Sequence, residues 1–370
     1  MFPIGGPVKF GFGSNHRYSV VIYSFHSRAL ENNPLGDPAD RLLIVLLPPG
    51  YQGGRAYPQV WMLSGFGGTG RSFLNFNPFG EDLLERVNRL HAEGRLGPMV
   101  FVLPDTFTGL GGNQHISSPG VGDYETYLWD ELLPFVEERH PSAGARAVAG
   151  QSSGGYGALV NAMRHPGLFE AVVCHSGDMG FELCYWPDIG HLLREVARAG
   201  GLPAFRRLVL GCRFGPSSPS PSLRAAINLF AMAATYSPSA KSTGLAESAR
   251  QADPAAPNGN DDDAGVELPV DLNTGELLPG VWQRWLAHDP VRMVTDVPGA
   301  AGALRHLKLL FFDCGEEDEF NLLFGARRLD RRLTELGIPH LFETFPGGHF
   351  HTSHRYDRSL PLIWEALKTR

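Results

Sequence analysis

Ala145-Arg146-Ala147-Val148-Ala149-Gly150-Gln151-Ser152-Ser153-Gly154-Gly155-Tyr156-Gly157-Ala158-Leu159-Val160 changes character at its midpoint. Its first five residues form a short apolar run of strand length, and its last six are small or apolar residues that suit a helix. Between them stands Gly-x-Ser-x-Gly. With 45 glycines in the chain, that pattern alone carries little weight, since roughly one random chain in three of this composition would show it. Its setting carries the argument, because a strand, a sharp turn and a helix place Ser152 at the turn. Gly150 and Gly154 leave room for strand and helix to approach closely. The following helix offers free backbone N–H groups where negative charge would develop. A Gly/Ser-rich linker would have neither the strand before nor the helix after.

Outward from this segment, further short apolar runs read as buried strands: Gln59 to Ser64, Met99 to Leu103, Ala171 to His175, Leu307 to Asp313 and His340 to Phe345. Helical stretches alternate with them, at Asp82 to His91, Tyr124 to His140, Gly154 to Arg164, Asn321 to Leu336 and Leu360 to Lys368. Two earlier strands, Arg17 to His26 and Arg41 to Leu47, flank a turn-rich segment and predict an antiparallel start. Alternation of strand and helix predicts an α/β fold, with a mostly parallel central sheet covered by helices on both faces.

Between His175 and Leu307 the rhythm breaks. No further sheet strand is expected there, only helical pieces near His191 to Ala199, Ser222 to Tyr236 and Val281 to Ala287. The expected organisation is therefore one core made of residues 1–175 and 307–370, interrupted by a largely helical cap or lid at 176–306. An ordinary connection has roughly 4 to 6 residues. Within the insertion, 237–265 is rich in Ser, Ala, Pro, Asn and Asp and is expected to be a flexible surface loop. Its run Asp261-Asp262-Asp263 lacks the alternation and glycine of a calcium loop.

The 370 residues are 43% hydrophobic and 19% charged, enough apolar content for a substantial core. A net charge of −7 provides no electrostatic pull toward nucleic acid or an anionic membrane, so a small-molecule partner is expected. The N-terminus does not read as a signal peptide, and no stretch approaches the roughly 20 apolar residues of a membrane helix. The four cysteines are scattered and read as buried free thiols. A cytoplasmic setting is the default that follows; oligomeric state is left open.

A serine hydroxyl needs a base, and the base needs an orienting carboxylate. In this order of strands both come later in the chain. The run Leu307 to Phe312 leads into Asp313-Cys314-Gly315-Glu316-Glu317-Asp318-Glu319-Phe320, where five carboxylates compete. Asp318 is favoured over Asp313, because it lies past the strand in a loop able to reach the nucleophile. Three histidines follow the last strand in Gly347-Gly348-His349-Phe350-His351-Thr352-Ser353-His354. His349 is favoured, directly after the turn at the strand's C-terminal end, where open parallel sheets build their sites. No thiol or acidic ligand pattern accompanies the three, so no metal is expected. An oxyanion hole needs two donors. The N–H of Ser153 is one, and the loop Ser64-Gly65-Phe66-Gly67-Gly68 supplies the other, from Phe66 or alternatively Gly67.

These blocks together resemble the esterase D and enterochelin esterase-like branch of α/β-hydrolases. The resemblance runs from about Arg41 to the C-terminus, with a gap in the insertion. It rests on Leu46-Leu47-Pro48-Pro49-Gly50-Tyr51, Trp61-Met62-Leu63-Ser64-Gly65-Phe66-Gly67-Gly68, the Gly150 to Ala158 segment, Asp313 to Phe320 and Gly347-Gly348-His349. It implies an α/β-hydrolase fold, a Ser152–Asp318–His349 triad, an oxyanion hole at Phe66 and Ser153, and a serine carboxylesterase that needs no cofactor and takes a small-molecule ester through an acyl-enzyme. Members of that branch also include acyltransferases, so an alcohol or sugar acceptor in place of water is the alternative, with a non-catalytic binding protein as a more distant one. The insertion departs from compact members. Phe181, Tyr185, Trp186, Trp282 and Trp285 within it are candidates for an apolar pocket wall, or for the insertion's own core.

Overall fold

The structure is a computed structural model, and it describes residues 8–10, 16–212, 219–239 and 264–368. Nine strands form one sheet: β1 Val8–Phe10, β2 Ser19–His26, β3 Asp40–Leu47, β4 Gln59–Leu63, β5 Val100–Pro104, β6 Arg146–Gln151, β7 Ala171–His175, β8 Leu309–Gly315 and β9 Leu341–Phe345. Their spatial order is β1-β2-β3-β5-β4-β6-β7-β8-β9. The pairs β1–β2, β2–β3 and β3–β5 are antiparallel, and all pairs from β5 through β9 are parallel. The antiparallel start is as the sequence led us to expect; β1 had no signal of its own.

This order fixes where a site can form. From β4 the chain runs to β5 on one side, whereas from β6 it runs to β7 on the other. Neighbouring strands whose connections diverge leave a crevice beyond their C-terminal ends. Here it opens between Leu63 and Gly150, which are register partners.

Helices α1 Leu83–Ala92 and α12 Tyr356–Leu367 cover one face. Asp82 and Glu85 form a reciprocal capping box that starts α1, and Val87, Leu90, Leu360 and Ile363 pack with Val60, Met62 and Phe101. Helices α2 Leu133–Arg139, which follows a π-helical turn at Thr126–Leu132, α3 Ser153–Arg164 and α11 Leu322–Glu335 lie on the other face. The parallel strands β4, β5, β7 and β8 are buried on both faces, which is why alternation is missing from their sequences, whereas β9 at the sheet edge is exposed or half-buried over most of its length.

The insertion contributes α4 Phe181–Cys184, α5 Ile189–Ala199, α6 Leu202–Cys212, α7 Pro221–Tyr236, α8 Pro279–Leu286, α9 Pro290–Asp296 and α10 Ala300–Arg305. Its apolar residues are continuous with the core on the α3 face: Phe181, Leu192, Phe230 and Trp285 share one cluster with Val148, Val172 and Leu159. Each fully buried side chain of this size contributes about 1.5–3 kcal/mol. The segment expected to be a loop at 237–265 is anchored at both ends. Ser239 N–H donates to Gly265 O (3.1 Å) and Glu267 N–H to Ser237 O (2.9 Å), with Ser237 fully buried. Residues 240–263, including Asp261–Asp263, lie outside the described residues. Among the described residues no helix is long and apolar enough to cross a membrane, and Cys174, Cys184 and Cys314 are buried free thiols. The side chain of Cys212 is outside them.

Candidate active site

Ser152 sits between β6 and α3 with φ 58° and ψ −128°, a conformation that costs a non-glycine residue about 1–3 kcal/mol. Backbone bonds hold it there. Its N–H donates to His175 O (2.9 Å), and its carbonyl accepts from Tyr156 N–H (2.9 Å). A Cβ on Gly154 would lie 2.0 Å from Leu63 O, and one on Gly150 would lie 2.3 Å from the Gly154 carbonyl carbon. Both glycines are therefore required by close approach of β4, β6 and α3.

The loop after β8 brings Asp318 to His349. Asp318 Oδ2 accepts from His349 Nδ1 at 2.9 Å, while Oδ1 accepts from the N–H groups of Phe320 (3.0 Å) and Leu322 (3.4 Å). Both side chains are almost wholly buried. The carboxylate acceptor assigns the proton to Nδ1, and Nε2 has no hydrogen-bond partner among the described residues. Phe320 packs edge-on against the imidazole, with centroids 4.7 Å apart. Gln151, immediately before Ser152, donates its amide to His349 O (2.7 Å), which ties the histidine's loop to the turn.

The other carboxylates of that loop are otherwise engaged. Glu319 accepts the His349 backbone N–H (2.6 Å), and Glu316 accepts from the Thr344 hydroxyl (3.0 Å). Glu317 is exposed. Asp313, still within β8, bonds His175 Nδ1 and the Arg355 guanidinium, each at 2.7 Å. His351 and His354 lie at the surface beyond His349.

On the other side of the crevice, Gly65 lies against the turn, where an added Cβ would be 3.5 Å from Ser152 Cβ. The two oxyanion candidates in this loop differ. Gly67 N–H is already committed to Gly111 O (2.7 Å), whereas Phe66 N–H has no acceptor among the described residues. Ser153 N–H, at the first position of α3, likewise has none. Phe66 and Ser153 are thus the free donors.

The loop is held from below by a residue that sequence reasoning passed over. His115 Nε2 donates to Ser64 O (2.8 Å), and its Nδ1 accepts from Thr106 Oγ1 (3.1 Å). Burial pushes its pKa down to about 4. Asn161 on α3 donates to His115 O (3.0 Å) and accepts from Trp129 Nε1 (2.6 Å). His175 was passed over as well. Its signal is a polar residue ending a wholly apolar strand, in register with Gln151 and Asp313.

The aromatic residues proposed as a pocket wall are placed differently. Phe181, Tyr185, Trp282 and Trp285 are buried and pack together in edge-on and tilted contacts, three of them also against Tyr236, with Phe181–Tyr185 centroids 4.7 Å apart and Tyr185–Trp285 5.6 Å apart. Trp186 lies outside this core, 40% exposed, against Trp282. They pack the insertion, because helical spacing places large aromatics on its inward faces. An open crevice that reaches the turn at Gln151 is lined instead by Gly65, Phe66, Phe73, Phe76 and Leu83, among others.

A parallel sheet with an antiparallel start, a strained serine between strand and helix, and a carboxylate–histidine pair after later strands define an α/β-hydrolase. The chain belongs to the family described as "Putative esterase", whose model matches residues 38–361. It is 34% identical over 185 residues to Esterase Rv1288 of Mycobacterium tuberculosis (strain H37Rv), covering 47% of this chain. The match spans only 37% of that relative's length. Among solved structures it is similar to a ferulic acid esterase (21% identity, TM-score 0.57, 95% of this chain and 99% of that one). It is also similar to an S-formylglutathione hydrolase from Agrobacterium tumefaciens (14% identity, TM-score 0.57, 98% and 99%). At these identities the likeness speaks for the fold.

Proposed function

We propose that the chain is a serine carboxylesterase working through an acyl-enzyme on Ser152. The observation that carries this reading is the buried Asp318–His349 pair, joined through Gln151 to the strained turn bearing Ser152. With its Nδ1 proton held by Asp318, His349 presents a lone pair at Nε2. It takes the proton of Ser152 as Oγ attacks the ester carbonyl. The carbonyl oxygen becomes negative and is held by the N–H groups of Phe66 and Ser153. His349 then gives the proton to the departing alcohol, and water repeats the sequence to release the acid. Asp318 stabilises the imidazolium that forms in both halves.

In this reading residues 1–175 and 307–370 make one catalytic core and 176–306 its cap, and unpaired buried thiols suit a cytoplasmic setting. Covalent labelling of Ser152 by a fluorophosphonate, with loss of ester hydrolysis in Ser152→Ala, tests the mechanism. Unlabelled protein, or a Ser152→Ala variant with undiminished activity, would overturn it. Water as acceptor is checked by product analysis with added alcohol, in which free acid should dominate.

A further inference from the structure

The two most exposed large apolar side chains among the described residues are neighbours on one loop: Phe79 at 98% and Phe76 at 85%, against 59% for the next, Phe350. Their loop has a built turn. Phe79 N–H donates to Asn77 Oδ1 (3.0 Å) and Gly80 N–H to Asn77 O (3.4 Å). On its N-terminal side stands a short 3-10 helix, Gly70–Leu74, capped by Thr69 and Ser72; on the other stands the capped start of α1. Aromatic side chains held out on such a turn mark a contact surface.

That surface adjoins the candidate active site. Phe76, Phe73, Phe66 and Leu83 line the crevice of about 390 Å³ whose other walls include Gly65 and Gln151. Gly65 lies beside the turn, where an added Cβ would stand 3.5 Å from Ser152 Cβ, and Phe66 carries the proposed oxyanion donor. An acyl group on Ser152 with its oxygen at Phe66 N–H therefore has its first carbons over Gly65. The absence of a side chain there leaves the way into the crevice open. At the crevice wall, the Arg86 guanidinium is paired with Asp357 and with Glu81, so it is not a free cation for an acidic group. The wall's two carboxylates are also engaged within the fold, Glu81 with Arg89 and Asp82 as the cap of α1, so the phenylalanines and Leu83 leave an uncharged apolar chain as the chemistry that fits.

We propose that this crevice holds the acyl chain of the ester, and that Phe76 and Phe79 cover its outer end, making the enzyme selective for medium-length apolar acyl groups. This rests on the esterase reading above. The test compares p-nitrophenyl acetate with p-nitrophenyl octanoate on the full chain and on its Phe76→Ser/Phe79→Ser variant. In the variant, KM for the octanoate should rise about tenfold, roughly the loss of two buried methylenes. The ratio of octanoate to acetate kcat/KM should fall by a similar factor, and an unchanged unfolding midpoint reports an intact fold. Octanoate and acetate changing together, or neither changing, would overturn the proposal while leaving the esterase reading in place. Calorimetric binding of ethyl octanoate to Ser152→Ala protein separates the two further. Binding weakened by the phenylalanine substitutions supports the crevice even where hydrolysis fails, and binding indifferent to them refutes it.

Discussion

Two aspartates on and just beyond β8, Asp313 and Asp318, each meet a histidine, and the two pairs are built to opposite ends. His175 is closed on both sides: Nδ1 bonds Asp313 (2.7 Å) and Nε2 bonds the Ser359 hydroxyl (2.9 Å), while Arg355 occupies the second oxygen of Asp313 (2.7 Å). His349 has the same bond to Asp318 (2.9 Å), but its Nε2 has no partner among the described residues. Both pairs are buried, and both contain the Asp–His geometry of a hydrolytic triad. In the proposed mechanism, what separates the catalytic pair from the staple is the neighbour of the second nitrogen. The closed pair ties β7, β8 and α12 together, and the His175 carbonyl holds Ser152 N–H, so the staple braces the turn that the open pair serves.

The largest effect expected is from Ser152→Ala, which should lower kcat by about 10⁵-fold or more, measured on a chromogenic ester, with the unfolding midpoint maintained. Next, Asp318→Asn should cost about 10³- to 10⁴-fold in kcat through loss of the imidazole's orientation, again with little change in stability. Asp313→Asn should show the reverse: a loss of about 3–5 kcal/mol in urea unfolding, because Arg355 and His175 lose their common partner, with catalysis by the folded fraction retained within about tenfold. Silenced activity at unchanged stability in that variant would break the distinction drawn between the pairs.

His115 sharpens the comparison with a third imidazole, also bonded at both nitrogens and buried, its pKa lowered to about 4. His288 is lowered likewise, first by burial and then by Arg164. Because the unfolded chain takes up these protons first, at about 6.5, the stability each contributes is lost as pH falls from about 6.5 to about 4. The loss is on the order of 3 kcal/mol per group. Melting temperature should therefore fall as pH is lowered through that window, and the dependence should flatten in His115→Gln. Smallest is Ser359→Ala, expected to cost about 1 kcal/mol and to leave kcat within about threefold, read from urea unfolding and steady-state kinetics.

The inner parallel strands were legible because buried parallel strands announce themselves as unbroken apolar runs, and Ala171–His175 even has the boundaries read from sequence. The shorter helices α4, α9 and α10 were not, since four to seven residues carry too little periodicity and their burial comes from tertiary packing. The proposed triad of Ser152, Asp318 and His349 was readable from chain order and from places after strands, and Asp318 and His349 are hydrogen-bonded as that reading requires. The choice between Phe66 and Gly67 was not, because it turns on one hydrogen bond from a loop beyond β5. The roles of His115 and His175 were hidden for a related reason, since their partners Ser64 and Asp313 lie 51 and 138 residues away, although His175 stands out as a polar residue ending an apolar strand. The insertion's aromatics show the limit of spacing as a guide, which gives the inward face of a helix but not whether that face meets a ligand or a neighbouring side chain.

Gly150 and Gly154 have a consequence for sequence variation. At most buried positions tolerance falls gradually with side-chain volume. Here the first carbon already collides with backbone of β4 or α3, which cannot rotate away as a side chain would. A saturation library should show a step rather than a slope at both positions, with alanine as damaging as leucine. Flanking positions whose side chains point into adaptable packing should grade smoothly.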